Sequence, residues 1–233
     1  MKKIFIYKTI SCIPFNNYSE IEEYISSHIS INKGFYSVAI NAEKLIRSDE
    51  DDKFSKIVED SIFPIPDGIA AVLLLKKKGF KTKKINLPEF IVQYCSDNNL
   101  KLALVGATPR NNQLACKNLI KTNKDLNIVL GLDGYKDQEN IISEINKCKP
   151  EVVLLGLGSP KQEFLAEKHH KTFPDLVIIN CGGAIDVFSG LIKRAPVFIQ
   201  NLNIEWLYRM IIQPTRIRRY LKLIKFLPIY FKS

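Results

Sequence analysis

The chain has 233 residues, 46% hydrophobic and 25% charged, with 34 Lys and Arg against 24 Asp and Glu and a formal net charge of +10. That composition excludes a disordered chain and is ordinary for a globular protein with an ample core. A membrane span requires about 20 consecutive apolar residues, and the longest apolar runs, Ile69 to Leu75 and Val152 to Leu157, are far shorter. Any membrane contact is therefore expected to be peripheral.

The chain opens with Lys2 and Lys3 before Ile4-Phe5-Ile6-Tyr7. Lys8 interrupts that run, so it reads as a first strand and not as a signal peptide. Further short apolar runs follow at Phe35–Ile40, Leu102–Val105, Ile128–Leu130, Val152–Leu155 and Leu176–Ile179. Short continuous runs of this kind suit strands buried on both faces. Helix-period segments lie between them, over about Ile69–Lys78, Glu89–Asp97, Asn111–Lys121, Gln138–Lys147 and Lys161–Lys171. The alternation predicts an α/β fold, a mostly parallel sheet with helices on both faces. Ligands of such sheets bind beyond the carboxyl ends of the strands.

Those ends carry the candidate residues. Asn41 follows the Phe35–Ile40 strand. It is either the N-cap of the helix beginning Ala42-Glu43-Lys44 or an amide offered to a sugar or base edge. In Pro64-Ile65-Pro66-Asp67-Gly68, two prolines stiffen the approach to Asp67, which is either a helix cap or a carboxylate held as a general base. Gly106 follows one strand. Gly156 and Gly158, with Lys161, Gln162 and Glu163, follow another. This is half a dinucleotide fingerprint, with Lys161 where a third glycine would stand. Gly183 and Asp186 follow the last strand, where Asp186 is either a ribose ligand or a cap. The histidines His28, His169 and His170 lack metal-ligand spacing, and the last two are expected on a solvated helix end. Five scattered cysteines without a CxxC pair predict reduced thiols in a cytosolic protein and no zinc site.

The charge is concentrated at the end. Residues 193–233 hold nine basic side chains and one acid, a net +8, leaving +2 for the rest. Pro196 to Ile212 reads as a helix, ended by Pro214. Arg216 to Phe226 reads as a second, with Ile217, Tyr220, Leu221 and Ile224 on one face and Arg218, Arg219, Lys222 and Lys225 opposite. A basic amphipathic helix is either a membrane-surface element or a packed helix with a solvated face. No nucleic-acid motif accompanies the charge. The Lys76–Lys78 cluster is read as a complement to a helix dipole.

Taken together, these residues resemble the WecG/TagA/CpsF glycosyltransferase family. The likeness is carried by Val38-Ala39-Ile40-Asn41-Ala42-Glu43-Lys44, Asp67-Gly68-Ile69, Gly158-Ser159-Pro160-Lys161-Gln162-Glu163, Gly182-Gly183 with Asp186-Val187-Phe188, Lys193-Arg194-Ala195-Pro196 and Glu205-Trp206-Leu207-Tyr208-Arg209. It looks most like the enterobacterial branch, which transfers N-acetylmannosaminuronic acid. The resemblance implies a Rossmann-like catalytic domain over residues 1–195 and a basic, helical, membrane-binding appendage over 196–233. It implies an inverting transferase that moves a sugar from a UDP donor to GlcNAc on undecaprenyl diphosphate, with no cofactor and no metal. Asp67 matches the proposed catalytic base, and Asn41 and Gln162 match donor or active-site contacts. Arg209, Arg216 and Arg219 match tail arginines that meet the diphosphate. The expected location is the inner face of the cytoplasmic membrane, with self-association left open. Two positions depart from relatives: Ala39 replaces a threonine, and Leu87-Pro88-Glu89 stands where others carry Gly-x-Asp. The alternatives are a nicotinamide-dependent oxidoreductase, against which the incomplete fingerprint argues, and a non-enzymatic basic adaptor.

Overall fold

The computed structural model describes residues 2–83, 85–192, 195–196 and 222–233. Six parallel strands form the central sheet: β3 (Phe35–Ile40), β4 (Phe63–Pro66), β5 (Lys101–Gly106), β6 (Asn127–Leu132), β7 (Val152–Gly156) and β8 (Val177–Asn180), in the order β4-β3-β8-β7-β5-β6. A separate antiparallel hairpin, β1 (Ile4–Tyr7) with β2 (Ile10–Cys12), precedes it.

Side chains alternate along each strand and build two cores. Tyr36, Val38, Ile40, Val153, Leu155 and Ile178 face one side. There they meet α2 (Ala42–Glu50), α3 (Asp52–Asp60), α4 (Ile69–Lys77), α7 (Gln138–Cys148) and α8 (Lys161–Thr172). Phe35, Leu102, Leu104, Val152, Leu154, Val177 and Ile179 face the other. They pack on α1 (Tyr18–Ile29), α5 (Leu87–Asp97), α6 (Pro109–Thr122) and α9 (Ala184–Phe188). Burial on both faces is why the strands read as unbroken apolar runs.

Several elements escaped the sequence pattern, the short strand β2 among them. β4 contains two prolines, yet it is a strand, because it lies at the sheet edge. The Pro64 carbonyl points away from β3 and accepts from Ile13 N at 2.8 Å, so the missing N–H of Pro64 costs no ladder bond. α1 was not foreseen, although Asn17 caps it by accepting from Glu20 N at 3.0 Å. α3 begins where Asp51 closes α2 and accepts from Phe54 N.

The C-terminal segment is a 3₁₀ turn (Lys222–Lys225) followed by α10 (Phe226–Lys232). The expected stop at Phe226 does not occur. Pro228 sits in the first turn of α10, where a proline removes no helical hydrogen bond. Ile229 is buried in the core shared with α2 and α4. Lys77 donates to the Tyr230 carbonyl at 2.8 Å and sits over its ring, which is more than dipole compensation.

Candidate functional site

The connection from β5 to β6 runs one way along the sheet, and that from β7 to β8 runs the other. The crevice between the carboxyl ends of β5 and β7 is thus the topological switch point, the usual ligand position in such sheets. Gly106 and Gly156 pair across it. A Cβ on Gly106 would lie 2.3 Å from Gly156 O, and φ there is +143°, so close strand approach dictates that glycine. Gly158 is different. Its φ is +77° and a Cβ would meet nothing within 4 Å, so the turn before α8 opens to space. Gly183 has ordinary backbone geometry, and a Cβ there would only touch Asp186.

At the other end of the sheet, β3 and β4 bring Asn41 and Asp67 together. Asn41 is the cap of α2, and the same amide also meets Asp67. Its Oδ1 accepts from Lys44 N at 3.1 Å, capping α2, while Nδ2 donates to Asp67 Oδ2 at 3.1 Å. Asp67 itself is no cap. That position belongs to Gly68, which has no side chain to offer. The Asp67 amide instead extends the ladder to Ile40 O at 2.8 Å, which places a half-buried carboxylate at the carboxyl end of β4. Among the described residues, Asn41 is the only hydrogen-bond partner of that carboxylate.

Between these two ends lies a buried polar cluster. Lys44 Nζ meets Glu163 Oε1 at 3.1 Å and donates to Ala39 O at 2.8 Å. Gln162 Nε2 donates to the same Glu163 oxygen at 3.0 Å. The side chains of Lys44 and Glu163 are 6% and 0% exposed. Burying charges is expensive unless they are paired and hydrogen-bonded, so this placement is strongly determined. Gln162 Oε1, Glu163 Oε2 and Asn180 Oδ1 are buried acceptors with no partner among the described residues. Asn180 ends β8 and is held by Ser37, donating from Nδ2 to its carbonyl at 2.7 Å.

Asp186 accepts from Asn111 Nδ2 at 2.7 Å, linking α9 to the start of α6. Its reading as a cap does not hold, because Gly183 stands at the cap of α9. Cys181 lies under the crevice, but burial raises its thiol to about 12, which excludes a thiolate nucleophile near neutral pH. All five cysteines are free thiols.

Sequence reasoning missed Asn180, Asn111 and Asn112. Buried Asn112 donates to the carbonyls of Leu104, Gly106 and Leu132 at 3.1, 3.0 and 2.9 Å, clamping β5 to β6. It also missed the pairing of Lys44 with Glu163, because no local signal joins residues so far apart in sequence. His169 corrects the expectation of a solvated helix end. It is 1% exposed, and burial, with Lys168 alongside, lowers it to about 4. Leu87, one of the departures, is buried in the first turn of α5, whereas Glu89 is exposed. Arg209, Arg216, Arg218 and Arg219 lie outside the described residues, as does the side chain of Lys222. Lys225 is exposed and pairs with Glu50 of α2. A cleft of about 430 Å³ opens at the opposite, amino ends of the strands, lined in part by Ile145, Lys149, Phe173 and Asp175. It is remote from the switch point and from Asp67.

The model of the Glycosyl transferase WecG/TagA/CpsF family matches residues 9–233. The chain belongs to this family. It is therefore a glycosyltransferase of cell-surface polysaccharide biosynthesis, and the oxidoreductase and adaptor alternatives fall away. Membership of this transferase family implies a nucleotide-sugar donor and a lipid-linked acceptor. Among the described residues, no helix of the transferase is long and apolar enough to cross a membrane.

Proposed function

We propose that the protein is an inverting, metal-independent hexosyltransferase. It moves N-acetylmannosaminuronic acid, N-acetylmannosamine or a related hexose from UDP to GlcNAc on undecaprenyl diphosphate, as in the enterobacterial branch. The observation that carries this reading is the Asp67 carboxylate, held by Asn41 at the carboxyl edge of the sheet. Strands are about 4.8 Å apart, so the ends of β4 and β7 stand roughly 14 Å from each other. A donor with its nucleotide at the Gly106–Gly158 crevice and its sugar toward Asp67 fits that span.

In the reaction, the acceptor hydroxyl attacks C1 of the donor sugar from the face opposite UDP. Asp67 takes the hydroxyl proton, the new C1–O bond forms, and the bond to the UDP oxygen breaks with its electron pair. Arg209, Arg216 and Arg219 are proposed to meet the diphosphate, since an arginine fork suits that charge. Gln162, Gly183 and Asp186 complete the proposed donor site, with Glu163 behind Gln162.

The proposed location is the inner face of the cytoplasmic membrane. Ile224, Leu227 and Phe231 are 64%, 55% and 76% exposed. At helical spacing they share one face, which supports insertion of an apolar stripe into the lipid interface. Arg218, Lys222 and Lys225 are the proposed basic flank.

The test is a panel of UDP-sugars offered with lipid-linked GlcNAc, with and without chelator. Transfer from one donor, unaffected by chelator and reduced about a hundredfold or more in Asp67→Asn, is expected. A fully active Asp67→Asn enzyme removes Asp67 as the base.

A further inference from the structure

We infer that the buried Lys44–Glu163 ion pair is the positioning device of the candidate site, holding Asn41 and Gln162 in register from opposite sides of β8. The inference rests on the transferase reading for what the site does, and on the geometry alone for what the pair holds. Lys44 acts at both its ends. Its backbone N–H occupies Asn41 Oδ1, so the Asn41 amide presents Nδ2 to Asp67. Its ammonium binds the Ala39 carbonyl at the end of β3 and Glu163 in the first turn of α8.

Glu163 completes the device. Its Oε1 accepts both from Lys44 and from Gln162 Nε2, which sets the orientation of the Gln162 carboxamide. One N–H of Gln162 is engaged by Glu163, and Oε1 is left as a buried acceptor without a partner among the described residues. Gln162 therefore presents an acceptor, which takes a hydrogen bond from a hydroxyl or amide N–H of the sugar. The pair ties β3 and α2 to the β7–α8 turn, two strands away across β8. Lys44 and Glu163 are positioning residues, acting through Asn41 and Gln162.

The experiment compares wild type, Lys44→Met, Glu163→Gln and the double variant Lys44→Met/Glu163→Met in the full chain. Each single variant leaves one buried polar partner unmatched and is expected to melt lower. The double variant replaces the pair with apolar side chains of similar length and is expected to melt at or near wild type. Its kcat nevertheless falls about a hundredfold, because misplacement at the angstrom scale costs that much. KM for the UDP-sugar changes less than about threefold. Wild-type kcat in the folded double variant overturns the inference, since the pair is then only structural. An activity-free readout is exchange of the Gln162 side-chain NH₂ protons, identified by their loss in Gln162→Glu. Slow exchange in wild type and fast exchange in the double variant is expected, and equal exchange overturns the inference. If wild type transfers no sugar from any donor, the transferase substrates are wrong, and the exchange measurement still decides whether the pair holds Gln162.

Discussion

One amide, that of Asn41, both caps α2 and donates to Asp67. Asn41→Ala removes the α2 cap, a loss of about 1 kcal/mol, and also the partner of Asp67. Asn41→Asp keeps a capping acceptor but sets a second carboxylate where the Nδ2 donor stood. It is expected to hold the melting temperature while turnover falls, a split that thermal melts and initial rates would read together. His169 supplies a pH prediction. Its pKa is 6.5 when free and about 4 in the fold, so the native state binds fewer protons between those values. The stability is present above pH 6.5 and is lost as pH falls toward 4. At about 1.4 kcal/mol per pH unit this amounts to about 3 kcal/mol. Burial lowers His170 as well, in the same direction. Urea titrations between pH 7 and 4 would show a shallower loss in His169→Leu if this is right. The glycines separate by the same logic. Gly106→Ala drives a Cβ into backbone and is expected to prevent stable folding, whereas Gly158→Ala meets nothing and costs about 1 kcal/mol for its positive φ.

The elements carrying these residues differ in how far their sequence reveals them. The helices α4 to α8 follow from their apolar period, and the buried strands from their apolar runs. β4 hides, because its prolines argue against a strand unless it is known to be an edge. α10 hides for a similar reason, since Pro228 reads as a stop until it is placed in a first turn. Docking of α10 depends on Ile229, which is 3% exposed. Ile229→Ala is expected to destabilise the protein by about 2–4 kcal/mol in chemical denaturation. Leu227→Ser, on the exposed side, should leave stability unchanged while weakening sedimentation with anionic vesicles. Equal vesicle binding by wild type and Leu227→Ser would count against that helix face as a lipid contact.

The whole molecule places a crevice, the proposed nucleotide site, at β5 and β7 and a carboxylate at the end of β4, with the Lys44–Glu163 pair between them. A donor spanning the two is expected to stabilise the fold. UDP at about a hundred times its Kd should add about 2.7 kcal/mol, seen as a raised melting temperature, while NAD should not. The net charge of +10 pointed first to its concentration in residues 193–233. What the sequence determined by itself was the layered α/β class, the candidate loops at the strand ends and the motif set that places the chain in its family, because period and local motif are properties of neighbours in sequence. Only the tertiary structure decided that Asn41 caps and donates together, that Asp67 is free of a capping role, and that Lys44 finds Glu163. Those contacts depend on strand order, which brings β3, β8 and β7 side by side, and strand order is set by how two cores close over the sheet.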